Sequence, residues 1–317
     1  MWAGVCFALA AGMMWGLVFV GPLMLPEYPA ALQSVGRYLA FGLLALPLAW
    51  WDRADIARMN RHDWTEAFKL SLVGNLVYYL FLSGAIQRAG APLPTMIIGT
   101  LPVVIAISAN LRDHRRDGRL PWLKLAPSLG LIALGIACVN HVEWQALQAA
   151  QGADPARYAL GAAMAVVAVV CWTWYPLRNA DWLRGHTDRN PRAWATTQGL
   201  ATLPLAALGY AALWGTAELG WLDFEMPLGP RPLYFVGLMV SIGLLASWLG
   251  TLCWNEASQR LPTALVGQLI VFETLSALGY AFVLRQTWPS PLTWLGIALL
   301  MAGVLLGVRQ MFRCLPR

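Results

Sequence analysis

The sequence is poor in charged residues: Asp, Glu, Lys and Arg make up 12% of its 317 residues, whereas 58% are hydrophobic. A soluble domain usually carries about 25% charged residues. Half of that share cannot cover the surface of a soluble protein of this length. The composition therefore excludes an ordinary cytosolic enzyme, a disordered protein and a nucleic-acid-binding protein. It predicts that the lipid bilayer surrounds most of the chain.

The sequence also lacks the motifs of enzymes and cofactor-binding proteins. Its five cysteines form no CxxC pair, and it contains no nucleotide-binding loop and no HExxH motif. Disulfides, a zinc site and ATP-driven pumping by this chain alone are therefore not expected. No aspartate lies in the middle of an apolar run, which excludes a paired-aspartate intramembrane protease. We predict no cofactor, no metal and no enzymatic activity, with an intramembrane transferase using Glu273 as the remaining enzyme alternative.

What the sequence does have is apolar runs of the length that crosses a bilayer, about 20 residues each. They show no period-two alternation, so they predict helices rather than strands. Prolines and glycines mark many of the ends. The sequence thus predicts an all-α integral membrane protein with ten transmembrane helices. These helices, numbered 1 to 10 below, are predicted at 2–24, 31–51, 66–87, 93–112, 121–140, 158–178, 193–214, 233–257, 263–284 and 292–311.

Basic residues are distributed unevenly between the two sides of this arrangement. Of the 22 Lys and Arg, 16 fall at the C-terminal end or on the connections after helices 2, 4, 6 and 8, and four fall on the other side. Loops rich in Lys and Arg stay in the cytoplasm, and they also contact anionic lipid headgroups. The split predicts a multi-pass protein of the inner or plasma membrane with both termini cytoplasmic.

Self-comparison reveals an internal repeat. Residues 42–49 read GLLALPLA and residues 199–206 read GLATLPLA, while 85–88 (AIQR) match 257–260 (ASQR). The matches keep chain order and predict two five-helix halves, residues 1–152 and 153–317. Because five is odd, the second half must enter the membrane from the opposite side, which makes an inverted repeat. Many secondary transporters are built in this way. A duplicated scaffold without transport, or chance similarity of apolar segments, are the alternatives.

The chain resembles the EamA-type ten-helix branch of the drug/metabolite transporter superfamily. The resemblance is carried by Trp15-Gly16, Arg37, the motif Trp254-Asn255-Glu256-Ala257 and Glu273. It implies a basket of ten helices around a central cavity that moves small metabolites, often outward, and amino-acid exporters are prominent in this branch. The chain departs from the family pattern after Glu273, where Thr274 replaces the familiar proline.

Two charged side chains lie at membrane depth, where charge is costly and usually faces a cavity or a partner. Arg37 is our candidate for binding a carboxylate or another anionic group of the substrate. Glu273 is the candidate for binding an ammonium group or carrying a coupling proton. A structural ion pair that locks two helices together is the alternative for both residues.

Helical spacing groups further candidates on inward faces. Their aromatic rings would hold the apolar part of a substrate or a cation, although the tryptophans among them would equally suit simple packing. These candidate binding residues are Trp15, Tyr38, Asn75, Tyr78, Tyr79, Gly99, Trp172 and Trp248.

Together these features predict a secondary transporter that exports small metabolites, above all amino acids with aromatic or other apolar side chains, by alternating access. Its expected partners are a small-molecule substrate, the bilayer and a coupling proton, and it is expected to be a monomer or a homodimer. The runner-up is efflux of lipophilic cations by a multidrug transporter. A sugar-phosphate or lipid carrier and a receptor without transport are weaker alternatives.

Overall fold

A computed structural model describes residues 2–89, 92–112, 122–149, 155–286 and 288–314. Within these residues nine helices are long and apolar enough to cross a membrane, and shorter helices supply the predicted helix 4. None of the described residues lies in a strand, so the all-α prediction is confirmed. In chain order the ten helices are Trp2–Met24, Ala30–Trp51, Arg61–Ala89, Pro92–Ile98 with Leu101–Leu111, Trp122–Ala149, Pro155–Gly185, Pro191–Glu218, Pro232–Arg260, Thr263–Leu269 with Val271–Arg285, and Pro291–Cys314.

Local sequence explains where several helices begin. The Asn60 side chain caps helix 3 by accepting hydrogen bonds from the backbone N–H groups of His62 and Asp63. The Asp63 carboxylate in turn accepts from the Asn60 backbone N–H. Helices 6, 7, 8 and 10 each begin at a proline, whose fixed φ and missing N–H suit the first helical position. Helix 4 is interrupted just before Leu101, and Pro102 lies in the first turn of its second segment.

Irregular backbone recurs at equivalent places in the two halves. Helix 3 contains a π-helical stretch at Ser71–Val77, and helix 8 contains one at Gly243–Leu249, 172 residues later. Helix 4 is interrupted before Leu101 and helix 9 at Ile270. These matches are consistent with the predicted inverted repeat, which stays an interpretation. The predicted boundary between residues 152 and 153 lies outside the described residues.

Helices of the first half pack against their counterparts in the second. Helix 2 packs along helix 7, helix 5 along helix 10, and helix 4 along helix 9. The two copies of the GLxxLPLA motif meet in the first of these pairs: Gly42 lies against Leu203, and Gly199 lies against Ala45.

Helices 1, 3, 6 and 8 complete the bundle and form two groups with helices 4 and 9. Helix 1 packs along helices 8 and 9, and helix 6 packs along helices 3 and 4. We call these the 1-8-9 group and the 3-4-6 group. The connections 52–60 and 186–190 lie on what we call the Arg-rich face, and the connections 25–29 and 219–231 lie on the opposite face. Which face meets the cytoplasm stays a prediction.

Candidate functional site

Arg37 is buried in helix 2 at the centre of the bundle. Its Nε donates a hydrogen bond of 2.9 Å to Ser247 Oγ on helix 8. Its guanidinium carbon lies 4.9 Å from the ring centre of Tyr38 and 4.7 Å from that of Tyr79. Within the described residues, Arg37 Nη1 is buried and has no hydrogen-bond partner. The guanidinium is thus fixed on one side and available on the other.

Glu273 lies in the first turn of the second segment of helix 9, directly after the interruption at Ile270. Its backbone N–H bonds to Ile270 O at 2.9 Å, and its side chain is buried. The N-terminal end of a helix carries positive partial charge, which favours a carboxylate there. Gly12 lets helix 1 approach closely, because it lies directly against the Glu273 backbone.

Arg37 and Glu273 share one site without forming a direct ion pair. The charge of Arg37 acts on the Glu273 carboxyl group, and both charges act on the Tyr78 hydroxyl. The indole N–H of Trp172 faces Glu273 but does not reach hydrogen-bond geometry. Among the described side chains no contact within 4.0 Å joins the two charges, so a locking salt bridge between them is absent from this conformation.

An aromatic wall completes the site. The Trp172 ring stacks between Tyr78 at 4.5 Å and Tyr175 at 5.1 Å. Trp15 meets Trp172 edge-on at 5.1 Å, and its N–H donates to Ala246 O at 2.9 Å. Trp15 and Trp172 are 157 residues apart, as are the two copies of GLxxLPLA, so in the predicted repeat they are equivalent positions and their contact is consistent with a pseudo-twofold axis through the site. We call this assembly, with Arg37 and Glu273, the central cluster: Trp15, Arg37, Tyr38, Tyr78, Tyr79, Trp172, Tyr175, Ser247 and Glu273.

Three predicted site residues occupy other places. Trp248 donates to Thr196 Oγ1 at 3.2 Å, and Thr196 in turn donates to the Asp52 carboxylate, so Trp248 belongs to the Arg-rich side. Asn75 donates to Thr202 Oγ1 at 3.4 Å. Gly99 lies in the turn between the two segments of helix 4 and brings no side chain.

Sequence reasoning left Ser247 and Tyr175 out of the predicted site. Tyr175 follows Trp172 by one helical turn, a spacing that predicts a shared face. Ser247 carried no signal, because one serine in an apolar helix resembles any other until its partner is known.

The central cluster is rich in donors that lack acceptors. Within the described residues, Arg37 Nη1, Tyr78 OH and Trp172 Nε1 are buried and have no hydrogen-bond partner. Each buried polar group left unpaired costs about 1–3 kcal/mol. Donors of this kind bind acceptor oxygens, and a carboxylate supplies two of them.

Ion pairs between buried carboxylates and half-exposed arginines close the cluster on the Arg-rich face. Asp52 accepts from Arg192 Nε at 2.8 Å, and Glu66 accepts from Arg178 Nε at 2.8 Å and Nη2 at 3.0 Å. Both acids belong to the first half and both arginines to the second. The Arg-rich side is therefore closed by bonds between the halves.

Asp63 adds a third buried carboxylate to this closure. It accepts from Trp182 Nε1 at 3.1 Å, with His186 and Arg189 each 3.8 Å away. All three partners again belong to the second half.

The opposite face is closed more lightly. The Tyr28 hydroxyl donates to Leu228 O at 2.9 Å and accepts from the Arg231 backbone N–H at 2.9 Å. Glu27 pairs with the Arg231 side chain, and both side chains are partly exposed. The central cluster is thus closed at both ends, with stronger charge pairing on the Arg-rich side.

Comparisons with known proteins agree with this architecture. The EamA-like transporter family matches residues 2–141. "Inner membrane protein YtfF" of Escherichia coli (strain K12) is 55% identical over 309 residues, which cover 97% of this chain and 95% of that protein. "Uncharacterized transporter YwfM" of Bacillus subtilis (strain 168) is 26% identical over 302 residues, covering 94% and 91%. One crystal structure superposes with a TM-score of 0.70 at 17% identity over 96% of this chain and 97% of that one, which shows the shared fold.

Proposed function

The chain belongs to the EamA-like transporter family of the drug/metabolite transporter superfamily, and from this premise we propose that it exports amino acids with aromatic or other apolar side chains by alternating access. Membership makes it a membrane transporter. The name of the Bacillus subtilis relative also indicates a transporter.

One observation carries the choice of substrate: a buried guanidinium with a free Nη1 stands near a buried carboxyl group and a wall of aromatic rings. An amino acid presents the complementary groups. Its carboxylate would bind Arg37 and the free hydroxyl of Tyr78. Its ammonium group would face Glu273, and its apolar side chain would lie on the rings of Trp15 and Trp172.

The closures on the two faces support alternating access. Each joins one half to the other, and each lies between the central cluster and one side of the bundle. Opening one closure at a time would expose the cluster to one side only, as in other inverted-repeat transporters. The positive-inside rule assigns the Arg-rich face to the cytoplasm, and export then runs toward the opposite face. The name of the Escherichia coli relative supports placement in the inner membrane.

Efflux of lipophilic cations is the second candidate, because aromatic rings and a glutamate also suit a cation. Arg37 argues against it, since a guanidinium in the same cluster repels a cationic substrate. A sugar-phosphate carrier would need more than the one guanidinium that the described cluster contains.

The test is counterflow of labelled phenylalanine and leucine in proteoliposomes. We expect saturable exchange that Arg37→Gln abolishes and Arg37→Lys weakens, because an ammonium group lacks the two-pronged geometry of guanidinium. The matched control is Arg53→Gln, whose guanidinium stacks on the exposed ring of Trp50, and it should leave exchange unchanged. Phenethylamine, which lacks the carboxylate, should not compete. Extrusion of a lipophilic cation dye without amino-acid exchange would contradict the proposal.

Proton coupling through Glu273 is tested in the same vesicles. An imposed pH gradient should drive accumulation in the unmodified protein. Glu273→Gln should retain exchange with a higher KM, because the ammonium group loses its charged partner, and it should lose the response to the gradient. A gradient response that survives this substitution would exclude Glu273 as the proton carrier.

A further inference from the structure

Two rows of polar side chains run along helices 3 and 8. Members of each row are four residues apart, so they lie on one side of their helix. Each member of the first row has its counterpart 172 residues later in the second. We call them the helix 3 row, which is Asn75, Tyr79, Ser83 and Gln87, and the helix 8 row, which is Ser247, Thr251, Asn255 and Gln259.

The helix 3 row begins beside helix 7, where Asn75 donates to Thr202. It passes the central cluster at Tyr79 and continues to the opposite face, where it contacts helix 1 and the connection 25–29. The Tyr79 ring lies under Arg37, and its hydroxyl donates to Val18 O at 3.4 Å. At the outer end, Gln87 Nε2 donates to Tyr28 O at 2.8 Å. The row therefore lies where the 3-4-6 group meets helices 1 and 2.

The helix 8 row extends from the same cluster to the Arg-rich face and contacts helix 6 and the connection 186–190. Ser247 accepts from Arg37, and Asn255 Oδ1 accepts from Asn179 Nδ2 at 2.8 Å. At the outer end, Gln259 Nε2 donates to Arg189 O at 3.3 Å. This row lies where the 1-8-9 group meets helices 6 and 7.

The two outer ends explain the repeated motif AIQR and ASQR. In each copy the glutamine bonds a backbone carbonyl in the connection between the first two helices of its own half. The side chain of the neighbouring arginine donates to the backbone carbonyl four residues earlier, which is Gly84 O for Arg88 and Glu256 O for Arg260. The same local arrangement is thus used once at each face.

One member of the helix 3 row and one neighbour of the helix 8 row carry polarity that helix packing does not use. The hydroxyls of Ser83 and of Ser258, which neighbours the helix 8 row, are buried and have no hydrogen-bond partner within the described residues. A seam that stays closed would be more stable with apolar groups at such positions, because a buried unpaired hydroxyl carries a desolvation cost. Both rows become favourable when water or a polar substrate enters the seam.

We infer that the two rows are the walls of the translocation path. The helix 3 row lines the half between the central cluster and the opposite face, and the helix 8 row lines the half toward the Arg-rich face. This inference rests on the proposed alternating access. The first half opens when helix 3 separates from helices 1 and 2, and the second when helix 8 separates from helices 6 and 7. The side chains of both rows are neutral, which suits passage of a zwitterion without trapping it.

The test is the reactivity of single cysteines toward a membrane-impermeant thiosulfonate, applied from either side of vesicles that hold a cysteine-free full-length protein. Ser83→Cys and Ser258→Cys replace unpaired hydroxyls, so neither substitution removes a hydrogen bond described here. The control variants are Leu80→Cys and Leu245→Cys, one on each helix, which are both 38% exposed and lie outside the two rows; Leu80 lines an apolar cleft between helices 2, 3 and 7. Trp221→Cys, at an exposed position of the connection 219–231, reports from which side the reagent reaches the opposite face.

We expect Ser83→Cys to react only from the side at which Trp221→Cys reacts, and Ser258→Cys only from the other side. Both modifications should block exchange, and the leucine controls should stay unmodified. Reaction from the reversed side, equal reaction of the controls, or no reaction in a variant that still transports would overturn the inference. Absence of amino-acid exchange in the unsubstituted protein would instead refute the proposed substrate, and the reactivity pattern would still test the path.

Discussion

Substitution of Gly12 by alanine tests the position of Glu273 most directly. A methyl group on Gly12 would lie 2.9 Å from the Glu273 backbone nitrogen and 3.0 Å from the Phe272 carbonyl carbon. Favourable contacts between heavy atoms lie at about 3.5–4.0 Å. Backbone atoms cannot rotate out of the way, so helices 1 and 9 must move apart by about 0.5–1 Å.

Overpacking of this kind costs about 1–3 kcal/mol. Alanine also gains up to about 1 kcal/mol over glycine in a helix, which partly hides the cost. Gly279→Ala is the matched control, because Gly279 lies in helix 9 with open space where its methyl group would be. Both variants gain the same helical preference, so the difference between their stabilities isolates the overpacking.

The assay is thermal unfolding in detergent followed by tryptophan fluorescence, together with amino-acid counterflow. We expect Gly12→Ala to unfold a few degrees below Gly279→Ala. We also expect a higher KM, because the shift of helix 9 displaces Glu273 within the central cluster. Equal unfolding midpoints and equal transport in the two variants would refute the close approach of helix 1 to Glu273.

Three further predictions concern the closures and the polar interior. Arg178→Ala should lower the free energy of unfolding by about 1–3 kcal/mol, less than the loss of a fully buried pair, because Arg178 is 43% exposed. Lys69→Ala, which removes the other partner of Glu66, should cost less than about 1 kcal/mol. Urea unfolding compares the two variants, and equal losses would contradict the geometry. Asn179→Ala should cost about 2–4 kcal/mol in the same assay, because it leaves two buried donors and one acceptor unpaired; a loss below about 1 kcal/mol would mean that water replaces the amide. Desolvation acts to raise the pKa of Glu27, but its hydrogen bonds and the Arg231 charge outweigh desolvation and hold this pKa below the usual 4.5. The ionised Glu27 therefore stabilises the fold fully above pH 4.5, and this stabilisation is lost as the pH falls through the lower folded-state pKa. Glu27→Gln should therefore weaken the pH dependence of the unfolding temperature between about pH 5 and pH 3, and an unchanged dependence would contradict this pairing.

Much of the candidate site was accessible from sequence because charge at membrane depth is rare. Arg37 and Glu273 were identified by depth alone, and the structure places both in the central cluster. Trp172 and Tyr78 were found from helical spacing. The same reasoning placed Trp248 with them, yet its N–H bonds to Thr196 on the Arg-rich side. Spacing along one helix gives a face, but it does not tell which neighbour that face meets.

The sequence by itself determined the solvent of the protein and its membrane-spanning helices, and it predicts the two halves in which they are arranged. These follow from local properties, because partition of an apolar run into lipid depends on its own twenty residues. Only the tertiary structure decided that Arg37 and Glu273 share a site without pairing. It also decided that Ser247 holds a guanidinium 210 residues away, and that acids of one half meet bases of the other. Such contacts depend on how helices pack against one another, and no local pattern in the chain specifies them.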